Sequence, residues 1–145
     1  MSSSTVDRAP RVLPSIARWA VVLVAACSLL VGALAPGDVL SALTGLPVPF
    51  GPTALWLHVF GFATLGFLLA GVLRANARGS FALAFGVVAG YGTVTELLHL
   101  FLAHRTFALL DIAANVTGAF VGVACVWLVV YVRRESRAGW VASLS

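Results

Sequence analysis

Lysine is absent from this 145-residue chain, acidic residues number five, and charged residues of any kind make up 10% of it. A soluble domain carries about a quarter. That deficit, with 61% hydrophobic residues and a mean hydropathy of +1.04, excludes an ordinary soluble domain and points to a membrane protein. With no lysine, the pI near 10.1 and the formal charge of +4 come from nine arginines. A nucleic-acid-binding surface needs a basic stripe on a soluble fold, so nucleic acid is excluded as a partner. Cysteine is scarce too. Cys27 and Cys125 each lie in an apolar run without a CxxC or CxxH neighbour, and read as small hydrophobes. No GxxxxGK phosphate loop occurs, no serine or cysteine nucleophile is evident beside an acid or base, and the sequence indicates no cofactor.

What the chain does have is apolar length. Residues 1–15 are polar, with two prolines, and are expected to form a disordered tail. Residues 16–35 make a first span of about 20 residues, the length that crosses a bilayer. A basic start and Ala33-Leu34-Ala35 also resemble a secretory signal, but Pro36 argues against cleavage there, and a retained anchor is expected. Residues 36–52 hold Pro36, Pro47, Pro49 and Pro52, which break any long helix, with a short interfacial helix expected near 39–46. Further spans are expected at 53–73, 80–102 and 107–132. The fold class is all-α: a polytopic membrane protein built as a four-transmembrane-helix bundle over 16–132. Residues 133–145 are expected to form a second tail along the inner surface.

The arginines give the expected orientation. With the N-terminus in the cytoplasm, Arg8, Arg11, Arg18, Arg74, Arg78, Arg133, Arg134 and Arg137 are inside and Arg105 is outside. Positive residues concentrate in short cytoplasmic loops. A multi-pass plasma-membrane protein with both termini cytoplasmic is therefore expected.

Ionisable and polar side chains crowd into one stretch, with Glu96, His99, His104, Arg105, Asp111 and Asn115 following one another. A carboxylate inside a span costs about 2.5 kcal/mol or more and marks a functional site by default. At about 1.5 Å per residue, His58 lies roughly 7 Å below the outer end of its span, Glu96 roughly 9 Å, Asp111 about 6 Å and Asn115 about 12 Å. Three helices thus bring polar groups to one layer in the outer half of the bilayer. Glu96 with His99, and Asp111 with Asn115, share helical faces. Gly118 and Gly122 continue the Asn115 stripe, and Gly86 and Gly90 are expected to allow close approach on the third span. His58, Phe62 and Leu65 form the matching stripe on the second.

Each of these residues also has a packing explanation. Glu96 could join helices, Arg105 could anchor at headgroups, and Asp111 suits the first turn of a helix. Asn115 and the glycines could serve packing alone, and His99 and His104 could face water. His58, Glu96, His99 and Asp111 form an N/O set of a type suited to zinc or iron. The Glu-x-x-His element of di-iron bundles appears once rather than twice, and no metal ligand is assigned.

The order His58, Glu96, Arg105, Asp111, Asn115, Gly118 and Gly122 resembles the VanZ-like family, small integral membrane proteins named for a teicoplanin-resistance protein. The resemblance covers residues 56–122. His99 stands where that family has Gln, and Ala54-Leu55 where it often has Asp-Lys. The Gln found there elsewhere speaks against a metal, being a poor ligand. The resemblance implies a cell-envelope or glycopeptide-resistance role, with an envelope component, a lipid-linked molecule or an antibiotic as partner besides the bilayer. Its phosphotransbutyrylase-type names find no acyl-CoA or phosphate motif here.

The residues expected to act chemically are His58, Glu96, Arg105 and Asp111, and those expected to contact a ligand are Arg105, Asn115 and His99. Arg105 would act as a charge partner or hold an anionic group, and Glu96 and His58 would exchange a proton. Two alternatives stand beside this reading: a membrane enzyme acting on a lipid-linked substrate, and an assembly subunit whose polar layer registers helices. Four helices without an internal repeat offer no alternating-access halves, so a transporter is not expected of one chain, though an oligomer could provide a path.

Overall fold

The computed structural model describes residues 12–47, 52–73 and 78–142. Regular structure there is entirely helical: α1 (Val12–Leu34), α2 (Gly37–Thr44), α3 (Pro52–Leu73), α4 (Arg78–Leu98) with a 3₁₀ turn at His99–Phe101, and α5 (Leu109–Ala142). Among the described residues four stretches are long and apolar enough to cross a membrane: Ile16–Leu34, Ala54–Leu73, Gly79–Phe101 and Leu109–Arg133. The four-helix membrane bundle expected from hydropathy is the observed architecture.

Boundaries differ at three places. α1 begins at Val12, inside the expected tail, and takes in Pro14, whose missing N–H falls in the first turn where no intrahelical partner exists. The third span does not run as α-helix to 102. It tightens at His99 and leaves residues 102–108 as a connection before α5. α5 does not stop where the charges begin but continues through Arg133 to Ala142, about 50 Å in all. Arginine and glutamate are good helix formers, so a change of solvent need not end a helix. The short helix expected after Pro36 is α2, closed by Gly45 in the left-handed region at φ 68°.

α3, α4 and α5 share the core: Phe62, Leu65, Leu69, Ala84, Val88, Ala119 and Val123 are buried together. α1 is peripheral, with 6% of its span buried against 39% of the fourth. Large apolar residues such as Val24, Phe60, Leu83 and Leu128 point outward, a surface that fits acyl chains and would be an aggregation hazard in water.

The tightest contact lies between α3 and α5. A Cβ at Gly118 would strike the carbonyl oxygen of Val59, and one at Gly122 that of Ala63. Gly66 reciprocates, with Ala119 oxygen 2.8 Å from where its Cβ would be. Small residues let the two backbones touch, the close packing that joins helices in lipid. Gly86 and Gly90 do not contribute as expected. Both are exposed and nothing lies within 4 Å of a Cβ at either. The glycine of α4 that meets its neighbours is Gly92, where a Cβ would come within 2.7 Å of both Phe62 and Asn115.

Gly122→Ala is expected to lower stability by about 1–3 kcal/mol, because backbone must shift. Gly86→Ala should stay within about 0.5 kcal/mol. Unfolding of the purified protein in detergent checks the contrast.

Candidate functional site: a polar layer at one end of the bundle

The polar layer begins with Asn115 on α5, which is 1% exposed. Its Nδ2 donates to the carbonyl of Gly92 on α4 at 3.1 Å, and its Oδ1 lies 2.9 Å from Nδ1 of His58 on α3. A carbonyl only accepts, so the amide orientation follows, and His58 must carry its proton on Nδ1. Nε2 of His58 then faces Asp111 Oδ2 at 3.9 Å, both side chains being about a fifth exposed. One amide therefore ties three spans and fixes an imidazole.

Glu96, in the last turn of α4, is 1% exposed. Its Oε1 accepts the backbone N–H of Ala108 at 2.8 Å, which holds the connection to α5 against α4. Its Oε2 lies 3.1 Å from Nδ1 of His99. The approach is off the line of a good hydrogen bond, so the contact is chiefly electrostatic. Nε2 of His99 faces the carbonyl of Ala33 at 3.0 Å and must donate to it. With that proton committed, Nδ1 of a neutral ring has only a lone pair to present to the carboxylate.

The loop after α4 grips the end of α1. His99 Nε2 meets Ala33 oxygen, His104 Nε2 meets Leu34 oxygen at 3.0 Å, and Arg105 Nη2 donates to Gly32 and Ala35 oxygens at 2.8 and 2.6 Å. The last carbonyls of a helix have no intrahelical donor and carry the negative end of its dipole, so three basic side chains suit them. Tyr91 adds a bond to Ala26 oxygen farther down. The peripheral α1 is thus held to the bundle largely by polar contacts from the 91–105 region.

Four of the expected residues, His58, Glu96, His99 and Arg105, line one cavity of about 450 Å³ between α1, α2, α3 and α4. Its remaining wall is mostly apolar, with Leu29, Leu57, Phe60 and Phe62 among the lining residues. Asp111 and Asn115 are not in that wall but stand behind His58. Three expectations change accordingly. The carboxylates pair as Glu96–His99 and Asp111–His58, so Glu96 does not have His58 as its ion-pair neighbour. Arg105 has no carboxylate within ion-pair distance among the described residues; it bonds to carbonyls. His99 does not face water and is 6% exposed, whereas His104 is exposed.

Among the described residues no three of His, Cys, Asp or Glu gather as a metal set. The residues that went unnoticed in the sequence are Gly92 and Thr95, whose hydroxyl also donates to Gly92 oxygen at 2.9 Å. The signal was there in the helical spacing: Gly92, Thr95, Glu96 and His99 fall at i, i+3, i+4 and i+7.

¹⁵N spectra of histidine-labelled protein should find His58 protonated at Nδ1 and His99 at Nε2. Asn115→Ala should release the first preference and cost about 1–3 kcal/mol, because it strands buried polar groups.

No protein-family model, no curated protein and no solved structure matches the chain, so the polar layer cannot be read by transfer from a relative.

Proposed function

We propose that the chain is a VanZ-like protein of the plasma membrane, with both termini cytoplasmic, that uses this cavity to bind a cell-envelope component or a glycopeptide antibiotic. One observation carries the reading: an apolar cavity of about 450 Å³ with His58, Glu96, His99 and Arg105 in its wall. Ligand sites combine such apolar walls with a few convergent polar groups, and buried ionisable groups inside a span are otherwise hard to account for. The Arg distribution supports placing this end outside, because Arg105 lies at it while the other arginines fall in the tails and in the 74–78 turn, apart from Arg18 in α1.

In this reading Arg105 contacts an anionic group of the ligand. Glu96 and His99 stand beside it as a carboxylate–imidazole pair, and Asn115 and Asp111 position His58 without touching the ligand. That same pair favours the enzymatic alternative, since a carboxylate and an imidazole next to a bound lipid-linked substrate are the groups general acid–base chemistry uses.

A binding screen of purified protein against envelope lipids and glycopeptides tests the proposal. Glu96→Gln and Arg105→Gln should keep their membrane abundance and lose binding by about tenfold or more. Gly86→Ala, on the exposed face of α4 and outside the cavity, should bind as the parent does. Equal binding by all variants would remove the cavity from the function. Reporter fusions in the 102–108 connection should report the outer side.

A further inference from the structure

The carboxylates at this end each face an imidazole, Glu96 that of His99 and Asp111 that of His58. Arg105, half-buried in the cavity wall, has no carboxylate within ion-pair distance among the described residues, and its hydrogen-bond partners are the carbonyls of Gly32 and Ala35. The dipole of α1 offsets only part of that charge, which leaves the guanidinium as the group in the wall suited to an anion.

The cavity also reaches the lipid-facing surface. Leu57 and Phe60 line it and yet are 55% and 63% exposed on α3. Across α1 a second groove shares Ser28, Gly32 and Leu40 with it, so α1 is a thin partition with open space on both sides. The apolar wall follows α3 from His58 to Thr64, about 9 Å.

Resting on the function proposed above, we infer that the ligand is an amphiphile with a single oxyanion, a carboxylate or a phosphate, on a hydrocarbon chain. It enters sideways from the bilayer. Its anionic head meets the guanidinium of Arg105, its first methylenes lie along α3, and the rest of the chain stays in lipid. A volume near 450 Å³ holds a head and the start of one chain.

The full-length protein in phosphatidylcholine nanodiscs, titrated with tritiated oleate against empty nanodiscs, tests this. One saturable site per chain is expected. Oleyl alcohol, acetate and inorganic phosphate should compete at least about tenfold less well than unlabelled oleate, a difference of about 1.4 kcal/mol. Arg105→Gln should weaken binding by about ten- to a hundredfold, and Gly86→Ala, on the exposed face of α4 away from the cavity, should not. Gly61→Leu, which adds a side chain where a Cβ already lies 2.7 Å from Leu29 across the cavity, should abolish it. Should Arg105→Gln fail to fold, Arg105→Lys keeps the charge without the planar fork of the guanidinium, and should bind more weakly while still rejecting the alcohol. If oleyl alcohol competes as well as oleate while Gly61→Leu still abolishes binding, the charge inference falls and the cavity remains a site. If acetate or phosphate competes equally, the chain plays no part and the inference falls. If oleate does not bind but a molecule from the envelope screen does, this ligand class is wrong. If nothing binds in either assay, the function proposed above falls with it.

Discussion

The side-chain amide of Asn115 is the joint on which the polar layer depends. It donates to Gly92 on α4 and accepts from His58 on α3 while standing on α5. In a bilayer there is no water to take over a broken bond, so a buried amide must find all its partners within the protein. It can do so only because the backbones come close enough. Gly118, three residues along the same helix, touches the backbone of α3, and Gly92 leaves room for the Asn115 side chain itself. Close packing and hydrogen bonding are here one arrangement, and each would fail without the other.

A second constraint acts at the end of α1. This helix buries little of its surface, and in lipid it gains nothing from hydrophobic burial against its neighbours. Its terminal carbonyls need donors, and His99, His104 and Arg105 supply them across four consecutive residues. The connection that carries those side chains is itself tied down where Glu96 accepts the Ala108 N–H. Glu96 therefore organises the backbone with one oxygen and faces an imidazole with the other. The cavity exists because α1 is held at its end rather than packed along its length.

Much of this was legible in the residues. Hydropathy and the 3.6-residue repeat determine that four spans form, since burying or exposing backbone in lipid leaves little choice but helix. Counting residues from the span ends placed His58, Glu96, Asp111 and Asn115 in one layer, and the structure brings them there in two carboxylate–imidazole pairs. The Asn115, Gly118 and Gly122 stripe was likewise visible as an i, i+3, i+7 pattern. Which glycines of α4 meet another helix was not. Gly86 and Gly90 have the spacing of a packing motif but lie on the exposed face, and Gly92 was passed over.

Sequence alone, then, determined the helical class, the number of spans and the shared level of the polar groups along the helices, because all three follow from local periodicity and the cost of polar groups in hydrocarbon. Only the tertiary structure decided who pairs with whom: Glu96 with His99, His58 with Asn115 and Asp111, Arg105 with the carbonyls of α1. Those choices depend on how each helix is rotated about its axis and on where the chain turns between Leu98 and Leu109, and both are set by contacts between segments far apart in sequence.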